Sequence, residues 1–144
     1  MKLVKHGLLA VPLLLCFDCK KSDLSDPDFR LDGTYFYTAS DGAGKVLISG
    51  TIQLVIRNEK LSGTWTLSLV GSADPAKTGP QVGKGILKGS ADQEVVSINL
   101  NPGVCDNNVF LAGGLTGTTL CGDWTYSGFA GSIGGGKFTA IKTE

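Results

Sequence analysis

The sequence predicts an all-β domain that folds as an eight-stranded antiparallel up-and-down (meander) barrel. Glycine accounts for 21 of the 144 residues while only 18 % are charged, a composition typical of short strands joined by tight turns. Apolar and polar residues alternate with the period of two that a half-buried strand requires. Turn-forming residues separate these segments, and closing the meander into a barrel leaves no strand edge exposed.

Two neighbouring segments show the alternation most clearly. In segment 47–57, Ile52 and Leu54 share one face, and in segment 61–70, Trp65 and Leu67 do the same. Because side chains alternate across a strand, each segment has one apolar and one polar face. The full set of predicted strands is 33–39, 47–57, 61–70, 81–88, 95–101, 108–115, 119–127 and 137–142.

A short pattern recurs within the predicted barrel. The sequence LSGTWT at 61–66 returns as LCGDWT at 120–125, each time in the second arm of a hairpin. Shared turn chemistry and duplication of a hairpin both explain this repeat. Both explanations predict a meander.

The first fifteen residues have the pattern of a signal peptide. Lys2 and Lys5 provide a basic start, and the apolar run 7–15 follows them. This run is too short to cross a bilayer as a helix, which takes about 20 residues. We therefore predict a signal peptide over 1–15, a polar tether over 16–30 and the barrel domain over 31–144.

The residues that follow the apolar run point to a lipid anchor. Leu13-Leu14-Leu15-Cys16 resembles the lipobox of bacterial lipoproteins. The resemblance implies that Cys16 is acylated and becomes the first residue of an anchored protein. Cys19, which begins a polar stretch, is the alternative site of lipidation. A chain anchored in this way would lie in the cell envelope at the outer membrane, facing the periplasm or the exterior.

Two short segments of the predicted barrel resemble segments of known ligand-binding proteins. Segments 31–35 (LDGTY) and 61–65 (LSGTW) resemble the Gly-x-Trp segments of lipocalins and avidins, which implies a lipocalin-like barrel. The candidate ligand-binding residues are aromatic. If their rings line a cavity at one end of the barrel, they would bind a small apolar molecule, and otherwise they fill a solid core. These candidates are Tyr35, Trp65, Trp124 and Tyr126.

Cys105 and Cys121 are the cysteines of the predicted barrel domain. Cysteines of an exported protein tend to pair, and a bond between these two would staple a loop to the outside of a strand. We expect this disulfide, with two free thiols as the alternative. Two isolated cysteines without a nearby histidine do not make a tetrahedral metal site, so no metal is expected.

Residues suited to catalysis are scarce in the predicted mature chain. The one histidine, His6, lies in the segment expected to be removed, and the usual general base is lost with it. The glycine-rich segment 131–136 (GSIGGG) is predicted as a hairpin loop, because it lacks the strand-to-helix setting of a phosphate-binding loop. We expect neither an enzyme nor a cofactor.

Charge limits the partners further. Without residues 1–15 the chain has 11 basic and 13 acidic residues, which argues against nucleic acid as a partner. The sequence thus predicts a non-catalytic lipoprotein, anchored to a membrane, whose barrel binds a small, mostly apolar ligand. The alternative is a solid-core structural or protein-interaction module of the cell envelope without a small-molecule ligand.

Overall fold

A computed structural model describes residues 31–92 and 95–143 of the chain. Within these residues, eight antiparallel strands pair in chain order, and the last strand pairs with the first to close a barrel. The predicted all-β meander barrel is therefore confirmed. The elements are β1 (Gly33–Ser40), β2 (Val46–Arg57), β3 (Lys60–Leu69), α1 (Pro75–Thr78), β4 (Gly83–Asp92), β5 (Val95–Asn99), β6 (Asn107–Thr116), β7 (Thr119–Gly128) and β8 (Gly131–Lys142).

The predictions for the N-terminal region concern other residues. The signal peptide over 1–15, the tether over 16–30 and the lipidation of Cys16 or Cys19 all lie outside the described residues.

The two ends of the barrel are built differently. At one end, which we call the turn end, two-residue turns join β2 to β3 and β6 to β7, and the chain enters β1 from Leu31. Asn58 and Glu59 of the first turn have φ angles of 49° and 64°, as a tight type I′ hairpin requires. At the opposite end, which we call the loop end, the connections are 41–45, 70–82, 100–106 and 129–130.

Buried apolar side chains from all eight strands fill the interior. Tyr37 stacks on Phe138 with the ring centroids 6.0 Å apart. The indole of Trp65 lies so close to Gly85 on β4 that a Cβ at Gly85 would be 2.4 Å from the ring. Glycine is therefore required where this large ring meets the neighbouring strand.

The connection between β3 and β4 folds into the loop end of the barrel. Thr78 and Gln81 are fully buried there. The Tyr37 hydroxyl donates a hydrogen bond to Gln81 Oε1 (3.1 Å), and Gln81 Nε2 donates one to the Thr78 carbonyl (2.8 Å). Asp74 caps α1 by accepting a hydrogen bond from a backbone N–H of its first turn. The sequence patterns did not predict this short helix, and β4 begins two residues later than predicted because Gln81 belongs to the connection.

β8 begins at Gly131 and so extends toward the loop end beyond its predicted start at Lys137. The segment Gly131–Gly136, predicted as a hairpin loop, pairs with β7 as far as the Gly128–Gly131 pair. That prediction was wrong. Hydrogen bonds to a neighbouring strand hold in extended form a segment whose own composition favours turns.

The predicted disulfide is also wrong, because Cys105 and Cys121 are free and exposed. Cys121 lies opposite Gly114 near the turn end, whereas Cys105 lies in the connection that enters β6 at the loop end. There Asn107 pairs with Gly128, which is about 23 Å along β7 from Cys121 at the usual strand rise. A disulfide requires Cα atoms within about 7 Å of each other.

We expect both thiols of the folded full-length chain to react with N-ethylmaleimide without a reductant, because both side chains are exposed. Peptide mapping by mass spectrometry should find the adduct on Cys105 and on Cys121. A cross-linked peptide that contains both cysteines would contradict the register of β6 and β7.

Substitution of Gly85 by Ala tests the contact with Trp65. The added methyl group would overlap a rigid indole, and overpacking of this kind typically costs about 1–3 kcal/mol. We expect urea denaturation to give a lower free energy of unfolding for Gly85→Ala than for the wild type. The control is Gly103→Ala, because no atom lies within 4 Å of a Cβ at that position. Equal stability of the two variants would contradict the packing described above.

Candidate functional site

Tyr35 and Trp65, two of the four predicted ligand-binding residues, belong to the core. The Tyr35 hydroxyl donates a hydrogen bond to the Leu31 carbonyl at 2.9 Å. Trp65 Nε1 donates one to the Leu100 carbonyl at 2.7 Å. Each ring is withdrawn from solvent and its polar atom already has a partner within the protein, as buried polar atoms require.

Tyr126 and Trp124 lie in different surroundings. Tyr126 is partly buried, and its ring lies against Gly79, just after α1. Trp124 is buried, and its Nε1 donates a hydrogen bond to the Ser40 carbonyl at 2.8 Å. Trp124 also borders a groove at the surface. The structure thus brings Trp124 to a concave site, and it does not gather the four predicted residues around one cavity.

This groove opens at the loop end and has a volume of about 390 Å³, within the range of small-ligand sites. We call it the rim groove. It lies among the β1–β2 loop, the β3–β4 connection and β8. Its lining consists of Asp41 and Lys45, residues 72–74 with Lys77, residues 133–135, and the side chains of Leu47 and Trp124.

The rim groove lies where β1 stops and β8 continues. The β1–β8 ladder ends at the pair Ser40–Lys137. β8 extends past this point over the segment Gly131–Gly136, where β7 is the one described strand that pairs with it. The barrel is closed along most of its height, but among the described residues this part of β8 pairs with a strand on one side only, and α1 packs against it at Gly134.

Two β-bulges border the groove. Ser40 pairs with Val46 and Ala39 with Ile48, so Leu47 is an extra residue in β2. Bulges redirect side chains and are frequent at barrel rims and beside active sites. As a result Leu47 and Ile48 are both buried, although neighbouring residues of a strand normally face opposite sides. The sequence signal was the unbroken apolar run 46–48, which interrupts the alternation.

The second bulge lies on β8. Tyr126 pairs with Gly134 and Ser127 with Ser132, so Ile133 is the extra residue. Ile133 contributes to the lining of the groove and is 55 % exposed. Both register shifts among the described strand pairs therefore supply an apolar side chain to one groove.

Charged side chains of both signs stand around these apolar residues. Asp41 Oδ1 accepts hydrogen bonds from two backbone N–H groups of its own loop, and Asp74 Oδ1 accepts one from α1. Both carboxylates thus shape the groove as well as carrying charge. No ion pair joins Lys45 or Lys77 to another residue of the described chain.

Several kinds of chemical group line the rim groove. It combines apolar surface, two ammonium groups, two carboxylates and the exposed main chain of β8. In the part of the chain that the structure describes, no group of three or more His, Cys, Asp or Glu side chains could hold a metal ion.

Comparison of the chain with protein-family models, with curated proteins and with solved structures gave no match. Among residues 31–92 and 95–143, no helix combines the length and the hydropathy needed to cross a membrane.

The core tyrosines predict a pH dependence of stability. Burial, with a smaller contribution from the charge of Asp32, raises the pKa of Tyr35 to about 12, and burial also raises the pKa of Tyr37. A group whose pKa is raised by folding stabilises the native state fully below its unfolded pKa, about 10 for tyrosine. That stability is lost as the pH rises through the folded pKa.

We therefore expect the free energy of unfolding, measured by urea denaturation, to fall between pH 10 and about pH 12. Tyr35→Phe removes one of the two buried phenols, so the free energy of this variant should fall less over the same interval. The same pH dependence in both proteins would show that Tyr35 does not carry the effect.

Proposed function

We propose that this protein is a non-catalytic, lipid-anchored binding protein of the cell envelope whose ligand site is the rim groove. The observation that carries the proposal is the contrast between the filled interior of the barrel and the groove at its rim. Buried side chains fill the inside of the barrel, and the polar atoms of its aromatic rings form hydrogen bonds with other residues of the protein. At the rim, two bulges turn apolar side chains toward a groove large enough for a small ligand.

The path of the chain supports this assignment. Leu31 is buried at the turn end and accepts the hydrogen bond from Tyr35, so the tether predicted over 16–30 joins the barrel there. The rim groove lies at the opposite end. An anchor on Cys16 or Cys19 would therefore attach the barrel by the end opposite the groove, so the attachment itself would not cover the groove.

Nuclear magnetic resonance spectroscopy of the isotope-labelled full-length chain tests the proposal with a library of small organic fragments. The protein has two tryptophans and therefore two indole N–H signals, one at the groove and one in the core. We expect binding fragments to shift the indole signal of Trp124 and the amide signals of Gly134 and Gly135. The indole signal of Trp65 should not move.

Two variants provide the control. Ser72→Trp adds a large side chain at the lining of the groove, and Ser62→Trp adds the same side chain at an exposed position of β3 outside it. We expect Ser72→Trp to weaken fragment binding at least tenfold and Ser62→Trp to leave it unchanged. Fragments that shift the Trp65 signal instead would place the ligand inside the barrel and contradict the proposal.

A protein-interaction module without a small ligand is the second candidate, and one observation favours it. Phe129, in the β7–β8 connection, is 90 % exposed. A large exposed aromatic side chain is a common anchor of protein interfaces, and Val104 is also exposed in another connection of the loop end. If no fragment moves the Trp124 signal, this candidate becomes the better one.

A further inference from the structure

We propose that the rim groove binds a short, extended peptide segment of another protein, which pairs with the main chain of β8 as an added strand. The inference rests on the proposed function and names the class of ligand.

The direction of the main-chain groups of β8 supports strand addition. The Lys142 N–H donates to the Thr118 carbonyl on the β7 side, and the Thr143 N–H donates to the Thr34 carbonyl on the β1 side. This alternation continues along the strand, and the register is unbroken from Ile141 to Gly134. The N–H and carbonyl of Gly135 therefore face the β1 side.

At that position β1 is no longer present. The last β1–β8 pair is Ser40–Lys137, and no hydrogen bond joins the main chain of Gly135 to a described residue on the β1 side. Gly135 is exposed and borders the groove. An open strand edge with free donors and acceptors is a template for another strand.

The lining of the groove suits the side chains of such a peptide. In an added strand, alternate side chains would point toward the barrel and toward solvent. Those that point inward would meet the lining of the groove, in which Leu47, Ala73 and Trp124 are largely buried and Ile133 is exposed. The main chain would meet the edge of β8, and strand addition uses this combination of main-chain bonds and pockets for alternate side chains.

Charge also favours a peptide over a purely apolar molecule. Two lysines and two aspartates contribute to the lining of the groove, Asp41 and Lys45 from the β1–β2 loop and Asp74 and Lys77 from the β3–β4 connection with α1. Burying this lining under a hydrocarbon would remove water from charged groups without replacing it, which is costly. A peptide offers amides and side chains of both charges to these groups.

A random octapeptide display library provides the probe. Selection uses the immobilised full-length chain alone, and the variants are used only to test the selected peptides. We expect the selected peptides to bind the wild type and Ser62→Trp equally and Ser72→Trp at least tenfold more weakly. Bound peptide should slow hydrogen exchange of the Gly135 amide, which we expect to exchange rapidly in the free protein because no described residue accepts a hydrogen bond from it.

N-methylation of the selected peptide distinguishes pairing through the main chain from binding through side chains alone. Alternate amides of an added strand face β8, so N-methyl groups at those positions should weaken binding at least tenfold, while those at the intervening positions should have little effect. Equal effects at all positions, or no effect, would overturn strand addition.

The remaining outcomes separate this inference from the proposed function. If no peptide survives selection while small fragments still shift the Trp124 signal, the groove binds ligands but the peptide is the wrong class. If sedimentation shows that the chain alone is a dimer with a protected Gly135 amide, a second copy occupies the edge and the inference is overturned. If neither peptides nor fragments reach the groove, the proposed function fails as well.

Discussion

The contact between two tryptophan indoles and glycine residues on the neighbouring strands is the constraint on which the barrel depends. Trp65 lies against Gly85 and its Nε1 reaches the Leu100 carbonyl on the far side of β4. An eight-stranded barrel has an interior just wide enough for its own side chains. Rings of this size fit only if the strand beside them carries no Cβ, and their N–H groups must reach carbonyls because water is excluded.

Trp124 repeats this arrangement on the other side of the barrel. A Cβ at Gly136 on β8 would lie 3.0 Å from Trp124 Nε1, and this atom reaches Ser40 at the end of β1. The Trp65 indole on β3 therefore lies across β4 and donates its hydrogen bond just past the end of β5. The Trp124 indole on β7 lies across β8 and donates its hydrogen bond at the end of β1. The sequence repeat at 61–66 and 120–125 corresponds to equivalent positions four strands apart. The repeated sequence thus marks two places where the same packing arrangement is built into the barrel.

Local sequence patterns predicted the fold well, because a meander consists of successive strands joined by short turns, and both leave a local pattern in the sequence. Alternation in 47–57 and 61–70 identified β2 and β3 and the residues that face inward, and short turns ordered the strands. The missed features depend on distant contacts. Gly131–Gly136 is a strand because β7 holds it, and α1 lies where it does because Tyr37 bonds to Gln81 from another strand. The prediction of a disulfide was wrong for the same reason, since only the register of β6 and β7 shows how far apart Cys105 and Cys121 lie.

The rim groove could not be predicted because it arises from the way the barrel closes. The carbonyl of Ser40 accepts the Trp124 indole N–H at the residue where β1 ends. A Cβ at Gly136 would lie 1.8 Å from that carbonyl, so glycine permits the close approach of the two strands. Beyond Ser40 the chain enters a loop in which the Asp41 carboxylate accepts backbone hydrogen bonds, while β8 continues with β7 as the one described strand that pairs with it. The residue that accepts the core hydrogen bond is thus also the last residue of β1 that pairs with β8, and the rim groove begins there.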